Sequence, residues 1–155
     1  MAGKPESPRF PTDRSDLKKV LDELGRDRLP GTLAIEIVTL GDGAAIMRCP
    51  IETRHLASNG YLHAASIVAL ADTAAGYGCI ANLPVEAVGF TTLELKSNHL
   101  GTQLDGHMRA EAALRHGGRS TQVWDVTVIG EETGRTLALF RCTQMILYPR
   151  PGSES

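Results

Sequence analysis

Residues 55–78 read HLASNGYLHAASIVALADTAAGYG, and the second half of that stretch decides the fold. Its apolar character runs on to residue 82, so the pattern predicts one long helix over 63–82. Alanine and glycine line it on every side: Ala64, Ala65, Ala69, Ala71, Ala74, Ala75, Gly76, Gly78 and Ala81. A helix that is apolar all round belongs inside a core, and side chains this small let backbone or ligand come close on several sides. Each interior glycine costs a helix roughly 1 kcal/mol against alanine, so Gly76 and Gly78 imply that something packs tightly there. Asp72 is the one acid between Glu52 and Glu86. A buried carboxylate costs several kcal/mol unless paired or hydrogen-bonded. It lies either on an exposed stripe or in a site, and the helix offers no second charged residue to draw a stripe with.

Working outward from this helix, the flanks read as strands. Residues 32–40 place Leu33, Ile35 and Ile37 on one face, Gly41-Asp42-Gly43 turns the chain, and residues 44–50 return, which makes a hairpin. After the helix, strands are predicted over 89–98, 106–114, 119–129 and 134–148, joined by glycine-containing turns and expected to form an antiparallel meander. Residues 15–25 form a short amphipathic helix, with Ser15 as cap, Leu17, Val20, Leu21 and Leu24 at helical spacing and Gly25 as stop. Six strands and one buried helix hide their apolar faces only if the sheet curls around the helix. The expected organisation is a tail over 1–12, one α+β domain over 13–149 and a second tail over 150–155.

Composition narrows the function classes. The 155 residues carry a formal net charge of −2, and the basic residues form no block, which argues against a nucleic-acid partner. Cys49, Cys79 and Cys142 are an odd, scattered set without a CxxC pair; buried free thiols in a reducing cytoplasm are expected. The first ten residues include Lys4, Glu6 and Arg9 and no apolar run, so no export signal is expected. The charge-poor stretch 56–84 is interrupted by His63 and Asp72 and is rich in Ala and Gly, so no membrane span is expected either. The five histidines show no HxxxH or HExxH spacing, so no metal site is expected. Ser66, Ser97 and Ser120 lack a G-x-S-x-G context, which argues against a serine triad.

Three features remain for chemistry. Asp72 is the first. The second is the entry to the long helix, where Asn59-Gly60 signals a turn and the N–H groups near Ala64 and Ala65 have no intrahelical acceptor. They stand at the positive end of the helix dipole and suit an oxyanion; His63 beside them can cap, take a proton or simply pack. The third is residues 115–122, RHGGRSTQ, read as a turn. Its two arginines and two glycines either hold a phosphate or form an ordinary solvated hairpin tip.

The stretch 55–78 resembles the central motif of hotdog-fold acyl-CoA thioesterases, nearest to the phenylacetate-pathway and Arthrobacter-type 4-hydroxybenzoyl-CoA branches. That motif runs Asn or Gln, Gly, His-Gly-Gly, then a helix carrying Asp or Glu, and the spacing from His63 to Asp72 matches it. The likeness extends over about residues 33–148. It implies a hotdog fold, a long central helix wrapped by a six-stranded antiparallel sheet. It implies hydrolysis of acyl-CoA, with aryl or medium-chain acyl groups expected. Asp72 takes the nucleophile or general-base position, the Ala64 N–H the oxyanion position, Gly60 the loop glycine, and His63 and Asn59 neighbouring places. It also implies a CoA site, for which Arg115, Gly118, Arg119, Ser120, Lys96 and Asn98 are the candidates. CoA is then part of the substrate and no separate cofactor is required. The resemblance further implies a homodimer or homotetramer (a dimer of dimers) with each site built from two protomers. Departures from the motif are Ala57, where relatives carry Asn or Gln unless the loop shifts so that Asn59 substitutes, and Ala64 and Ala65 in place of the two glycines.

Two other readings stay open on the sequence. A hotdog 3-hydroxyacyl thioester dehydratase would use His63 with Asp72 as its pair. A non-catalytic acyl-CoA-binding module would account for the lost amide and glycines.

Overall fold

The computed structural model describes Phe10 and residues 14–149; apart from Phe10, the expected tails 1–12 and 150–155 lie outside the described residues. In chain order the elements are α1 (Leu17–Gly25), α2 (Leu29–Thr32), β1 (Glu36–Gly41), β2 (Ala44–Pro50), a 3₁₀ turn (Thr53–His55), α3 (Ala64–Ala81), β3 (Gly89–His99), β4 (His107–Gly117), β5 (Thr121–Gly130) and β6 (Thr136–Leu147). The six strands form one antiparallel sheet in the order β1-β2-β4-β5-β6-β3, and α3 packs against every strand. This is the expected α+β architecture, a long helix wrapped by six strands.

Three local expectations are corrected. Leu17 is the first residue of α1 and Asp16, not Ser15, stands at its N-cap. The strand expected from residue 32 begins only at Glu36, because Pro30 sits in the first turn of α2, where its fixed φ suits a helix start. The chain then reverses through Ala34 at φ +55°. The four strands after α3 are not one meander. β4, β5 and β6 follow each other as expected, but β3 pairs with β6 at the far edge of the sheet. Seven residues, 100–106, separate β3 from β4, more than the 2–5 of a hairpin loop. Leu100 and Gly101 still donate to the Leu137 carbonyl as the chain leaves β3.

The alternation along β4 to β6 sorts the faces. Met108, Ala110, Ala112, Trp124, Val126, Val128, Ala138, Phe140 and Cys142 point inward and are buried with Ile67, Leu70, Ala71, Ala74 and Ala75 of α3. The close approach that the glycines implied comes from two aromatic rings. A Cβ on Gly78 would lie 2.7 Å from the Trp124 ring, and one on Gly76 would lie 3.1 Å from Phe90. Trp124 is held in turn, its Nε1 donating to Gln122 Oε1 at 2.9 Å while Gln122 Nε2 donates to the Asn82 carbonyl at 2.8 Å. By length and composition α3 resembles a membrane span; its place inside the sheet accounts for that composition.

Candidate active site

The chain enters α3 through a tight loop. Ala57 N–H donates to the Tyr61 carbonyl at 2.7 Å and Gly60 N–H to the Ala57 carbonyl at 2.9 Å. Gly60 adopts φ +83°, which a side chain rarely tolerates, so the predicted turn glycine is required by geometry. Asn59 Oδ1 accepts from Tyr61 N–H at 3.2 Å, which ties the loop to itself. His63 is the N-cap of α3: its Nδ1 accepts the Ala65 N–H at 2.9 Å, so the neutral ring carries its hydrogen on Nε2. Of the roles open to His63, capping is the one seen. Ala64 is exposed, and its N–H donates to no acceptor among the described residues. A free amide at the positive end of an 18-residue helix is suited to an oxygen that gains negative charge.

Asp72 lies in the middle of α3. Its Oδ1 is buried and has no hydrogen-bond partner among the described residues. Burial holds its carboxyl above the ordinary carboxylate range. On β6 the Cys142 thiol is pushed up to about 12, first by burial and next by the charge of Asp72. Asp72 and Ala64 do not meet within one chain. Eight residues of α-helix separate them by about 12 Å along the axis, and His63 is one residue farther. Within one chain the acid and the free amide are therefore too far apart to act on one carbonyl, and the His63–Asp72 pair of the dehydratase reading is likewise not formed within one chain.

Five of the six candidate CoA-binding residues fall into two clefts. Lys96, Asn98 and Arg115 line one of about 350 Å³ on the outer face of the sheet, with Asp125, Leu139 and Arg141. Gly118 and Arg119 line another of about 400 Å³, with Asn82 and Gln122 at the C-terminal end of α3. Residues 115–122 are less of a turn than expected, since β4 runs to Gly117 and β5 begins at Thr121. Arg119 sits with its guanidinium 5.6 Å from the Tyr148 ring centroid, and its carbonyl accepts from Tyr148 Oη at 2.6 Å. The Ser120 carbonyl is used by Ile146 N–H at 2.9 Å.

Arg141 joins the outer cleft without having been marked by the one-dimensional pattern. Asp125 holds it at 2.8 Å and Arg115 at 3.0 Å, and Arg141 is the first cause of the lowered Asp125 pKa. The register sets Asp125 opposite Arg141, and register is what a strand pattern alone leaves open. Lys96, Arg115 and Arg141 against Asp125 leave the cleft cationic. Elsewhere, His107, Glu131 and Glu132 bring potential metal-ligand atoms within 4.8 Å of one another, but Arg48 pairs with Glu131 and His107 with Glu132.

A family model described as the thioesterase superfamily matches residues 59–140. The chain is 35% identical over 115 residues to a 1,4-dihydroxy-2-naphthoyl-CoA hydrolase of Listeria monocytogenes, covering 74% of this chain and 92% of that one. Among solved structures it is similar to a thioesterase of Haemophilus influenzae, with a TM-score of 0.80, 25% identity and coverage of 88% and 94%. It is also similar to a hypothetical thioesterase of Streptococcus pneumoniae solved with coenzyme A, with a TM-score of 0.67, 25% identity and coverage of 75% and 88%.

Proposed function

We propose, since this chain belongs to the thioesterase superfamily, that it hydrolyses aryl- or medium-chain acyl-CoA thioesters with Asp72 as general base or nucleophile. One observation carries the assignment: a desolvated carboxylate whose Oδ1 has no partner among the described residues, on a helix whose own N-terminal amide is free among those residues. Burial makes Asp72 a stronger base than a solvated aspartate, closer to neutral working conditions. As a general base it takes a proton from water while the oxygen adds to the thioester carbonyl. As a nucleophile it adds directly, and water then cleaves the anhydride. Along either path the carbonyl oxygen becomes an oxyanion, and the Ala64 N–H donates to it. Collapse of the tetrahedral adduct breaks the C–S bond and releases the CoA thiolate.

The 12 Å between Asp72 and Ala64 supports a site shared by two copies of the chain, with Asp72 of one protomer beside Ala64 of its partner. A homodimer, or a homotetramer made of two dimers, supplies that arrangement. Phosphates of CoA fit the cationic outer cleft at Lys96, Asn98 and Arg115 or the cleft at Gly118 and Arg119, with Ser120 beside it. His63 orders the helix entrance, while Asn59 and Gly60 shape the loop before it. The structure of the Streptococcus relative with coenzyme A supports the choice of ligand. The three free cysteines support a reducing, cytoplasmic setting.

The test is thiol release from a panel of aryl- and medium-chain acyl-CoA esters. Wild type turns over at least one, and Asp72→Asn loses most of that rate. Equal rates in the two proteins reject the role of Asp72.

A further inference from the structure

We propose that His55 is a positioning residue for the oxyanion donor, which rests on the reading of the Ala64 N–H given above. His55 is fully buried, yet no step of the chemistry uses it. Its ring is held at both nitrogens. Nδ1 accepts the Glu52 N–H at 2.9 Å, and Nε2 lies 2.9 Å from the Leu33 carbonyl, to which it donates. That carbonyl also receives the Cys49 thiol at 3.1 Å, and Cys49 Sγ is 3.6 Å from Nε2. The ring therefore locks the backbone of residue 55 between the end of β2 and the reversal after α2.

The carbonyl of the same residue holds the start of α3. It accepts the His63 N–H at 2.9 Å and the Ser66 hydroxyl at 2.9 Å. These two donors lie on either side of Ala64, one at the N-cap and one in the first turn. The direction of the Ala64 N–H is thereby set by the His55 carbonyl, and the direction of that carbonyl by the His55 ring. A donor serves a developing oxyanion only when held at the right place, and a displacement of about 1 Å can cost as much as ~100-fold in rate. The loop between, residues 57–61, is exposed or half-buried and closes mainly on itself. His55 ties this entrance to the body of the protein through its ring, beside the buried Leu62.

The experiment compares steady-state kinetics of wild type, His55→Phe, His55→Asn, Ser66→Ala and Asp72→Asn on the best ester of the panel, with rates normalised to folded protein. His55→Phe fills the space and removes both ring hydrogen bonds; its kcat falls by roughly 10- to 100-fold with KM little changed. His55→Asn returns an acceptor where Nδ1 was and recovers most of that loss. Ser66→Ala, which touches only the carbonyl, lowers kcat severalfold without changing KM, and it decides the matter if His55→Phe does not fold. Unchanged kcat in both His55→Phe and Ser66→Ala, even with a lowered melting temperature, overturns the proposal and leaves His55 a purely structural residue. Undiminished turnover by Asp72→Asn instead overturns the assignment of the base, whatever His55 does. A wild type that cleaves no ester overturns both.

Discussion

At Asp72 the carboxylate is short of solvent and, at Oδ1, of any hydrogen-bond partner among the described residues. Two consequences of opposite sign follow. For stability, a carboxyl whose folded pKa lies above its ordinary 3.8 favours the fold fully below that value and loses the contribution as pH rises through the raised pKa. Asp72→Asn therefore melts higher than wild type at pH 7, and calorimetry shows the gap closing as pH falls toward 3.8. For activity the ionised form is the base, so kcat falls toward low pH with its inflection above the ordinary carboxylate value, and the substitution costs ~100-fold or more. Ala64 allows an equally direct test. It is the first residue of α3, and His63 before it is extended at φ −72°, ψ 133°, a pairing that proline accepts. Ala64→Pro thus deletes the one N–H and leaves the helix; kcat drops by ~100- to 1,000-fold while the circular dichroism spectrum is unchanged. Asp72 was legible in the sequence because it is alone among apolar neighbours. His55 was not, since one histidine in a loop gives no sign that it will be buried with both nitrogens engaged.

Among the elements, α3 was the most legible, because its apolar run and small residues admit only a place in the core. The identity of what presses on it was hidden. Trp124 and Phe90 come from strands 46 and 14 residues beyond Gly78 and Gly76, and only the sheet register brings them there. Gly78→Ala tests that contact. The methyl would meet a fully buried ring at 2.7 Å, so overpacking of roughly 1–3 kcal/mol exceeds the ~1 kcal/mol gained in helix propensity, and denaturant unfolding registers a net loss. The edge position of β3 was the element-scale feature missed. Alternation marks a strand but not its neighbour, and the seven-residue connection after β3 is longer than a hairpin loop. Among the described residues, its position leaves one side of the eleven-residue β3 without a partner strand, with Leu93 and Leu95 exposed, 55% and 42%.

For the molecule as a whole, the sequence marked the candidate site residues and, through their eight-residue spacing on one predicted helix, the distance between Asp72 and Ala64 as well. Asp72 and Ala64 are near neighbours in the motif, yet eight residues of helix keep them about 12 Å apart, so the proposed chemistry calls for a site shared by two copies of the chain. What it left open was the grouping of the candidate CoA contacts: Lys96, Asn98 and Arg115 gather in one cleft and Gly118 and Arg119 in another. The most direct test mixes two inactive proteins, Asp72→Asn and Ala64→Pro, by co-expression and assays the product for thiol release. In a mixed dimer one of the two sites receives Asp72 from one chain and the Ala64 amide from the other. Random pairing in a two-fold dimer then restores about a quarter of the wild-type rate. A mixture as inactive as its two components would contradict a site shared between protomers.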